Sequence, residues 1–390
     1  MQSFATLRMP QTIHYGQGAF KKLGEEATKF GKKALIISDR VMDELGYIHE
    51  ARALLMKDQI SSAVYAGVAS EPTDMYVEKA LHVLIKEGCD VVISLGGGSC
   101  IDTAKAVAVI VTNGGIISDY IKKEAIVKTP SLPHLAIPTT AGTGSEVTDA
   151  TVITNTTTNI KMMIKHPVFM PIVAIVDPIL TASSPKHITA ATGIDALSHA
   201  IESYISRRAH PMTDTLALAA IQLIVHHLEK AYQNGDDLQA REAMALGALQ
   251  AGIAFSNSSV CLVHGMSRPL GALFHVPHGY SNAMLLPAVL DFSKESCTNR
   301  LADVAAIFLG EEGEKASADK VVQAVKQLCF QLSIPNLRDW GITRHQLESA
   351  INKMAKDAIA SGSPSNHPKI VTEAEIESLY RICFDYDFSE

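Results

Sequence analysis

The stretch DVVISLGGGSCIDTAKAVAVIVTNGG, residues 90–115, decides the fold class of this chain. A short run of β-branched residues leads into Gly96, Gly97 and Gly98, and an apolar helical pattern then runs to Gly114. A buried strand that passes directly into a helix is the repeating unit of a parallel α/β sheet. The glycines also let a phosphate approach the backbone N–H groups at the start of the helix, although a tight structural turn uses the same residues.

The same alternation of strands and helices extends through the first 180 residues or so. Further strands are predicted at residues 32–39, 60–67, 133–140 and 172–178. Amphipathic helical patterns separate these runs, which predicts a parallel sheet that is covered on both faces. Residues 150–165 differ, because two β-rich segments flank a polar Asn/Thr turn and predict a β-hairpin.

After about residue 183 the pattern changes to long helices with a period of 3.6 residues. Helices are predicted at residues 187–206, 211–232, 236–256, 279–296, 315–331, 343–360 and 372–384. The sequence of this half shows no convincing strand pattern. We therefore predict two domains, an α/β domain at residues 1–182 and an all-helical domain at residues 183–390.

The composition is typical of a globular protein with a large core. Of the 390 residues, 47% are hydrophobic and 19% are charged. The net charge is -7 and the sequence contains no run of basic residues, which argues against a nucleic-acid partner. No apolar run reaches the length of about 18 residues that a membrane span needs, and the N-terminus lacks a signal-peptide pattern, so we expect no membrane partner. The six cysteines form no CxxC pair, which favours reduced thiols and a cytoplasmic protein.

A second loop, PTTAGTGSEVT at residues 138–148, follows the predicted strand at 133–140. Its hydroxyl groups are candidate cofactor contacts: Thr139, Thr140, Thr143 and Ser145. A flexible Ser/Thr/Gly loop has the same composition, but two such loops at the ends of neighbouring strands favour a nucleotide crevice. Asp39 ends the first predicted strand, where it can accept hydrogen bonds from a ribose or cap the next helix.

A possible metal site begins in TGIDALSHAIESY, residues 192–204. Asp195 and His199 are four residues apart on a predicted helix, so their side chains share one face at a distance of about 6 Å and can converge on a cation. An exposed Asp–His pair that binds no metal has the same spacing. Glu202 can orient His199 or face the solvent. The additional ligands have to come from another part of the chain.

The segment CLVHGMSRPLGALFHVPHG, residues 261–279, contains three histidines. One continuous helix would separate His264 from His278 by about 21 Å, whereas two ligands of one metal lie within roughly 4 Å of each other. The helix must therefore stop, and the VPHG sequence can turn the chain back. Two of His264, His275 and His278 would complete a set of one oxygen and three nitrogens, which suits Fe²⁺ or Zn²⁺ but not Mg²⁺ or Ca²⁺. Arg268 shares a helix face with His264 but has no lone pair to offer a metal.

The motifs GGGSCIDTAK, PTTAGTGSEVT, GIDALSHAIE and HGMSRPLGALFHVPHG, in this order, resemble the iron-containing (group III) alcohol dehydrogenase family. The resemblance runs nearly from end to end. It implies a Rossmann-like parallel α/β dinucleotide domain followed by an all-helical metal-binding domain, the plan that dehydroquinate synthase shares. It also implies a homodimer or a larger homo-oligomer.

The resemblance assigns roles to particular residues. The implied metal ligands are Asp195, His199, His264 and His278, which bind Fe²⁺ or Zn²⁺. The implied NAD contacts are Asp39, Gly97, Gly98, Ser99, Thr139, Thr140, Thr143, Ser145 and Lys161. Family members use the position of Asp39 to prefer NAD over NADP, so the resemblance favours the ribose role of this aspartate over the helix cap.

Two positions depart from the family pattern. Many members have a histidine where this chain has Arg268, which puts a proton path through that position in doubt. Arg268 can instead pair with a cofactor phosphate or with an acidic group of the substrate. Many members also have Asn-Pro-Thr where this chain has Glu71-Pro72-Thr73, which can change a contact with the cofactor.

We expect reversible hydride transfer between a small primary alcohol or diol and NAD, with the metal favouring the alkoxide as a Lewis acid. His275 is the candidate proton relay, and a packing role is its alternative. The other functions considered are a non-redox lyase of the dehydroquinate synthase type, a glycerol or hydroxyacid dehydrogenase, for which Arg268 is the best argument, and a binding protein without activity.

Overall fold

The computed structural model describes residues 4–122, 127–158, 160–310 and 316–389, which form two units. The α/β unit spans Arg8–Ser183, and the helical unit comprises residues 4–7 together with residues 184–389. The domain boundary expected between residues 182 and 183 stays a prediction; in this division residue 183 belongs to the α/β unit and residues 4–7 belong to the helical unit.

The described part of the α/β unit contains eight strands: β1 (Thr12–Tyr15), β2 (Lys33–Ser38), β3 (Ser61–Tyr65), β4 (Val91–Gly96), β5 (His134–Pro138), β6 (Ala150–Asn155), β7 (Ile160–Lys165) and β8 (Val173–Val176). Six of them form a parallel sheet in the order β1-β8-β5-β4-β2-β3, while β6 and β7 form the predicted antiparallel hairpin. The sequence pattern did not predict β1, which has only four residues and pairs with the distant β8.

The helices of this unit are α1 (Leu23–Thr28), α2 (Arg40–Glu44), α3 (Tyr47–Lys57), α4 (Asp74–Glu87) and α5 (Gly98–Asn113). The helical region between β2 and β3 is divided into α2 and α3 by Gly46, whose φ of 81° interrupts helical geometry. The ends of α4 follow the sequence signals, because Thr73 caps its first turn and Gly88 ends it in the left-handed conformation.

The sheet is buried on both faces, as the near-continuous apolar runs predict. On β2, Leu35 and Ile37 pack into one hydrophobic cluster, whereas Ala34 and Ile36 pack into another. Because successive side chains of a strand point to opposite faces, these two clusters lie on opposite sides of the sheet. The predicted doubly covered parallel sheet is confirmed.

The helical unit consists of α6 (Lys186–Ile205), α7 (Pro211–Gln233), α8 (Leu238–Ser258), α9 (Leu262–Phe274), α10 (His278–Ser293), α11 (Thr298–Leu309), α12 (Ala318–Gln331), α13 (Arg344–Ala360) and α14 (Glu373–Phe384). The described residues of this unit contain no strand, which confirms the all-helical prediction. The sequence pattern missed α11, and the helix predicted at 315–331 starts at a residue outside the described ranges.

No described helix is by itself both long and apolar enough to cross a membrane. Helices α8 and α9, which are bent by 102° at their junction, reach the required length and composition only as a pair.

Candidate active site

Four side chains of the helical unit converge on one point. Oδ1 of Asp195 lies 4.0 Å from Nε2 of His199, 3.6 Å from Nε2 of His264 and 3.8 Å from Nε2 of His278. All four ligand atoms lie within 4.8 Å of one another. With metal–ligand bonds of about 2.1 Å, the ligand atoms of a tetrahedral site are about 3.4 Å apart, so a small inward movement brings this set to coordination distance.

The chain reversal that the histidine spacing requires is present between α9 and α10. His275 ends α9 in the left-handed conformation, with φ of 55°, and α10 begins at His278 directly after Pro277. Gly279 then packs against α6, where a Cβ atom would lie 2.4 Å from the carbonyl oxygen of Ala191. The absence of a side chain at Gly279 therefore lets the start of α10 approach the helix that carries the other two ligands.

Packing holds the histidine rings of this cluster in place. The ring of His199 stacks on Phe255 at a centroid distance of 4.1 Å and on His264 at 4.4 Å. The side chains of Asp195, His199 and His264 are buried, whereas that of His278 is 34% exposed. The solvent therefore reaches the cluster beside His278.

Glu202 orients His264, not His199 as one alternative from the sequence had it. Its buried carboxylate lies 2.7 Å from Nδ1 of His264 and accepts hydrogen bonds from the backbone N–H groups of Cys261 and Val263 at the start of α9. Because a carboxylate oxygen accepts hydrogen bonds, Nδ1 of His264 carries a hydrogen, and in the neutral imidazole Nε2 has its lone pair directed at the centre of the cluster.

The histidines control the charge of Asp195. Burial by itself would raise the pKa of this carboxyl group, but His199, His278 and His264 together hold it well below its usual range. Burial would likewise lower the pKa of His264, whereas its hydrogen bonds to Asp195 and Glu202 raise that pKa to about 8. The centre therefore favours a positive charge, which a proton or a divalent cation can supply.

His275 and Arg268 lie outside this group of four. His275 is exposed at the end of α9. Arg268 is half-buried, and its Nη1 donates a hydrogen bond to the carbonyl oxygen of Ser361 at 3.2 Å. Burial lowers the pKa of Arg268, while the nearby Glu202 acts in the opposite direction.

The two loops that the sequence proposes for a nucleotide meet at one edge of the α/β unit. The carboxyl ends of β2, β4 and β5 are adjacent in the parallel sheet, since Ser38 pairs with Leu95 and Gly96 pairs with Pro138. A Cβ atom on Gly98 would lie 2.9 Å from the side chain of Thr143, so the loops are in close contact. None of the described side chains caps α5 at Gly97, and the first N–H groups of a helix are groups to which an anion can bind.

Asp39 caps a helix, as its position in the sequence allows. Its Oδ1 accepts a hydrogen bond from the N–H group of Met42 at 3.0 Å, and its Oδ2 lies 3.6 Å from Sγ of Cys100. An ionised carboxylate has about four acceptor positions, so this cap is compatible with an additional hydrogen bond from a ribose.

Ser145 points into the protein and not outward from its loop. Its Oγ donates a hydrogen bond to Oδ1 of Asp102 and accepts one from Nζ of Lys105 at 2.9 Å. Lys105 is buried, and it also donates to Oγ1 of Thr148 and to the carbonyl oxygen of Ala150. The sequence pattern did not indicate this network, although Asp102 and Lys105 both lie in the GGGSCIDTAK motif.

Lys161 and Glu71, which the sequence analysis marked for different reasons, form an ion pair. Nζ of Lys161 lies 2.9 Å from Oε2 of Glu71, and the side chain of Glu71 is 45% exposed. Glu71 also lies close enough to Asp102 to raise the pKa of that carboxyl group, although burial is the larger cause. The pair therefore lies near the first turn of α5.

The fold and the two groups of residues define an α/β protein with a nucleotide-type sheet edge and a second, helical unit that carries a candidate metal centre. Comparison with known families and proteins agrees with this class. Residues 10–178 match the model of the iron-containing alcohol dehydrogenase family, and residues 189–384 match the model of its C-terminal domain. The chain belongs to the iron-containing alcohol dehydrogenase family, and it is an alcohol oxidoreductase.

Individual relatives are similar over almost their entire length. A long-chain-alcohol dehydrogenase of Geobacillus thermodenitrificans is 39% identical, over 98% of this chain and 97% of that protein. The NAD-dependent methanol dehydrogenase of Bacillus methanolicus is 36% identical, over 96% of this chain and 98% of that protein. The crystal structure of a 1,3-propanediol oxidoreductase superposes with a TM-score of 0.93 at 36% identity, over 98% of this chain and all of the other. These matches favour the dehydrogenase over the lyase alternative.

Proposed function

We propose that this protein interconverts small primary alcohols or diols and the corresponding aldehydes, with NAD as the hydride carrier and with one Fe²⁺ or Zn²⁺ ion. The metal would be held by Asp195, His199, His264 and His278. The observation that carries this proposal is the convergence of these four ligand atoms within 4.8 Å in a buried part of the helical unit.

The donor set fits a transition metal. One carboxylate oxygen and three imidazole nitrogens suit Fe²⁺ or Zn²⁺, whereas Mg²⁺ and Ca²⁺ prefer sets made only of oxygen. A metal ion bound there supplies a Lewis acid for the substrate oxygen, and NAD supplies the hydride acceptor. The histidines lower the pKa of Asp195, and Glu202 holds the ring of His264 so that Nε2 faces the cluster, where a bound cation would replace the proton of that nitrogen.

For NAD we propose the contacts that the sequence analysis named. The start of α5 at Gly97, Gly98 and Ser99 would bind phosphate oxygens through backbone N–H groups. Asp39 would accept hydrogen bonds from the adenosine ribose and repel the 2′-phosphate of NADP. Thr139, Thr140 and Thr143 would add hydroxyl contacts, Lys161 would contact the cofactor as a cation, and Ser145 would support the loop from inside.

Depletion and restoration of the metal test the main proposal. The purified protein is treated with a chelator, and NADH oxidation is measured with a panel of small aldehydes before and after addition of Fe²⁺ or Zn²⁺. We expect activity to disappear with the metal and to return with at least one of the two ions. His264→Ala should not recover, while the exposed His49→Ala should behave as the unmodified protein. Absence of metal-dependent NADH oxidation with every aldehyde would refute the proposal.

Arg268 and His275 are proposed to act on the substrate side of the reaction. The half-buried guanidinium of Arg268 favours a substrate with an acidic group as the second candidate, and the exposed His275 is suited to exchange a proton with the solvent. We expect Arg268→His to change the substrate range or the pH dependence of kcat/KM while the metal content stays the same. Loss of the metal from this variant would contradict that assignment.

The cellular location and the oligomeric state of the protein stay predictions. The six cysteines are all free, which supports a cytoplasmic location. A homodimer or larger homo-oligomer is expected, and light scattering on the purified protein would measure its size.

A further inference from the structure

Asn282 contacts the candidate metal centre, although the proposed function assigns it no role. It lies on α10 one turn after His278, and its side chain is fully buried. Its Nδ2 lies 2.6 Å from Oδ1 of Asp195, 3.1 Å from Nε2 of His264 and 3.3 Å from Nε2 of His278. Three of the four candidate ligand atoms therefore surround one amide nitrogen.

Electrostatics determines which end of the amide faces the cluster. A carboxylate oxygen accepts hydrogen bonds, so an amide oxygen at 2.6 Å from Oδ1 of Asp195 would place two acceptors in repulsive contact. In the neutral form of His264 whose Nδ1 donates to Glu202, Nε2 is also an acceptor. The N–H groups of Asn282 must therefore point toward the ligands, and Oδ1 of Asn282 is left buried without a hydrogen-bond partner among the described residues.

The hydrogen bond from Asn282 is compatible with a cation on the same carboxylate oxygen. A carboxylate oxygen offers two lone pairs, and the short hydrogen bond from Asn282 occupies one of them. The second N–H group of the amide is shared between the two imidazole nitrogens, at longer distances. A cation can thus take the imidazole lone pairs and the second lone pair of Asp195 while the amide keeps its short hydrogen bond.

We propose that Asn282 is a positioning residue of the metal centre, which directs Oδ1 of Asp195 toward the metal and keeps three ligands together in its absence. This inference rests on the proposed function, because it requires that these residues bind a metal. Hydrogen-bonded partners of metal ligands typically contribute a factor of about 10–100 in metal affinity. We assign a contribution of that size to the amide of Asn282.

The experiment measures metal binding directly, without catalysis. Zn²⁺ affinity of the metal-free full-length protein is measured by competition with a chromophoric chelator, and the visible absorption of the Co²⁺-loaded protein reports the coordination geometry. Asn282→Leu keeps most of the side-chain volume but removes the donor, and Asn282→Ala serves as the second variant if the leucine prevents folding. The control is Ser281→Ala, which alters a buried neighbour on α10 that donates to the carbonyl oxygens of Val276 and Pro277.

The expected result is a loss of Zn²⁺ affinity of about 10–100-fold in a folded Asn282 variant, with a changed Co²⁺ spectrum. Ser281→Ala should bind Zn²⁺ as the unmodified protein does. A folded Asn282 variant with Zn²⁺ affinity within about twofold of the unmodified protein and an unchanged Co²⁺ spectrum would overturn the inference. Failure of the underlying metal site gives a different result, since the unmodified protein would then bind Zn²⁺ no better than His264→Ala.

Discussion

At the scale of single residues, both candidate sites contain charged groups whose protonation and pairing depend on the neighbouring side chains. The pKa of Asp195 is lowered despite its burial because histidines surround it, and Glu202 keeps a hydrogen on Nδ1 of His264. In the α/β unit, the ammonium group of Lys161 pairs with the carboxylate of Glu71. A cofactor contact through Lys161 must compete with that carboxylate.

Because Glu71 and the cofactor would compete for Lys161, we expect the affinity for NAD to increase when Glu71 loses its charge. We expect Glu71→Gln to tighten NAD binding by up to about fivefold, because a partly exposed ion pair contributes about 0.2–1 kcal/mol. Fluorescence titration with NADH measures this effect. In a Lys161→Met background the same change at Glu71 should have little further effect. Equal gains in both backgrounds would show that Glu71 acts without Lys161.

At the scale of secondary-structure elements, the buried Lys105 connects α5 to the loop that precedes β6. Its Nζ donates to Ser145, Thr148 and Ala150, and burial lowers its pKa to about 8, although Asp102 acts in the opposite direction. The carboxylate of Asp102 also accepts from the N–H group of Val152 on β6. The helix start and the hydroxyl-rich loop are therefore held together from inside the α/β unit.

Removal of the Lys105 ammonium group should loosen this connection. We expect Lys105→Met to lower the free energy of unfolding by about 3 kcal/mol, because it leaves the buried Asp102 without its cation, and to weaken NAD binding. Urea unfolding and NADH titration measure the two effects. The exposed Lys79→Met on α4 is the matched control and should change neither. A loss below about 0.5 kcal/mol, the range of ordinary surface substitutions, would argue against this role of Lys105.

At the scale of the whole molecule, each unit carries one candidate site built from its own residues. The four candidate metal ligands all belong to the helical unit, and the candidate NAD contacts all belong to the α/β unit. A ligand stabilises the state that binds it by RT ln(1 + [L]/Kd), which is about 2.7 kcal/mol when its free concentration is 100 times Kd. The two ligands should therefore protect different parts of the chain.

Hydrogen exchange can separate these contributions. We expect Zn²⁺, added to the metal-free protein, to slow amide exchange mainly in α6, α9 and the start of α10. NAD alone should slow exchange mainly at residues 96–99, in the first turns of α5 and in residues 138–145. His264→Ala should abolish the Zn²⁺ effect and keep the NAD effect. Protection by Zn²⁺ centred on α5 would contradict the assignment of the metal to the helical unit.

Much of the fold and of the candidate metal set could be predicted from the sequence, because the relevant signals are local. The transition from strand to glycines to helix at residues 91–113, the glycine that ends α4 and the hairpin at 150–165 all depend on neighbouring residues. The spacing of Asp195 and His199 is likewise a property of one helix. By contrast, β1 was missed because its four residues are stabilised by a strand far along the chain.

The sequence by itself determined the two-unit architecture, the helical unit without strands and the need for a chain reversal before His278. Only the tertiary structure decided which partner each polar group has: Glu202 meets His264 rather than His199, Ser145 faces Lys105, Lys161 pairs with Glu71, and Asn282 reaches Asp195. The physical reason is that helix periodicity specifies which residues share a face, whereas the group opposite that face depends on how distant helices and strands pack.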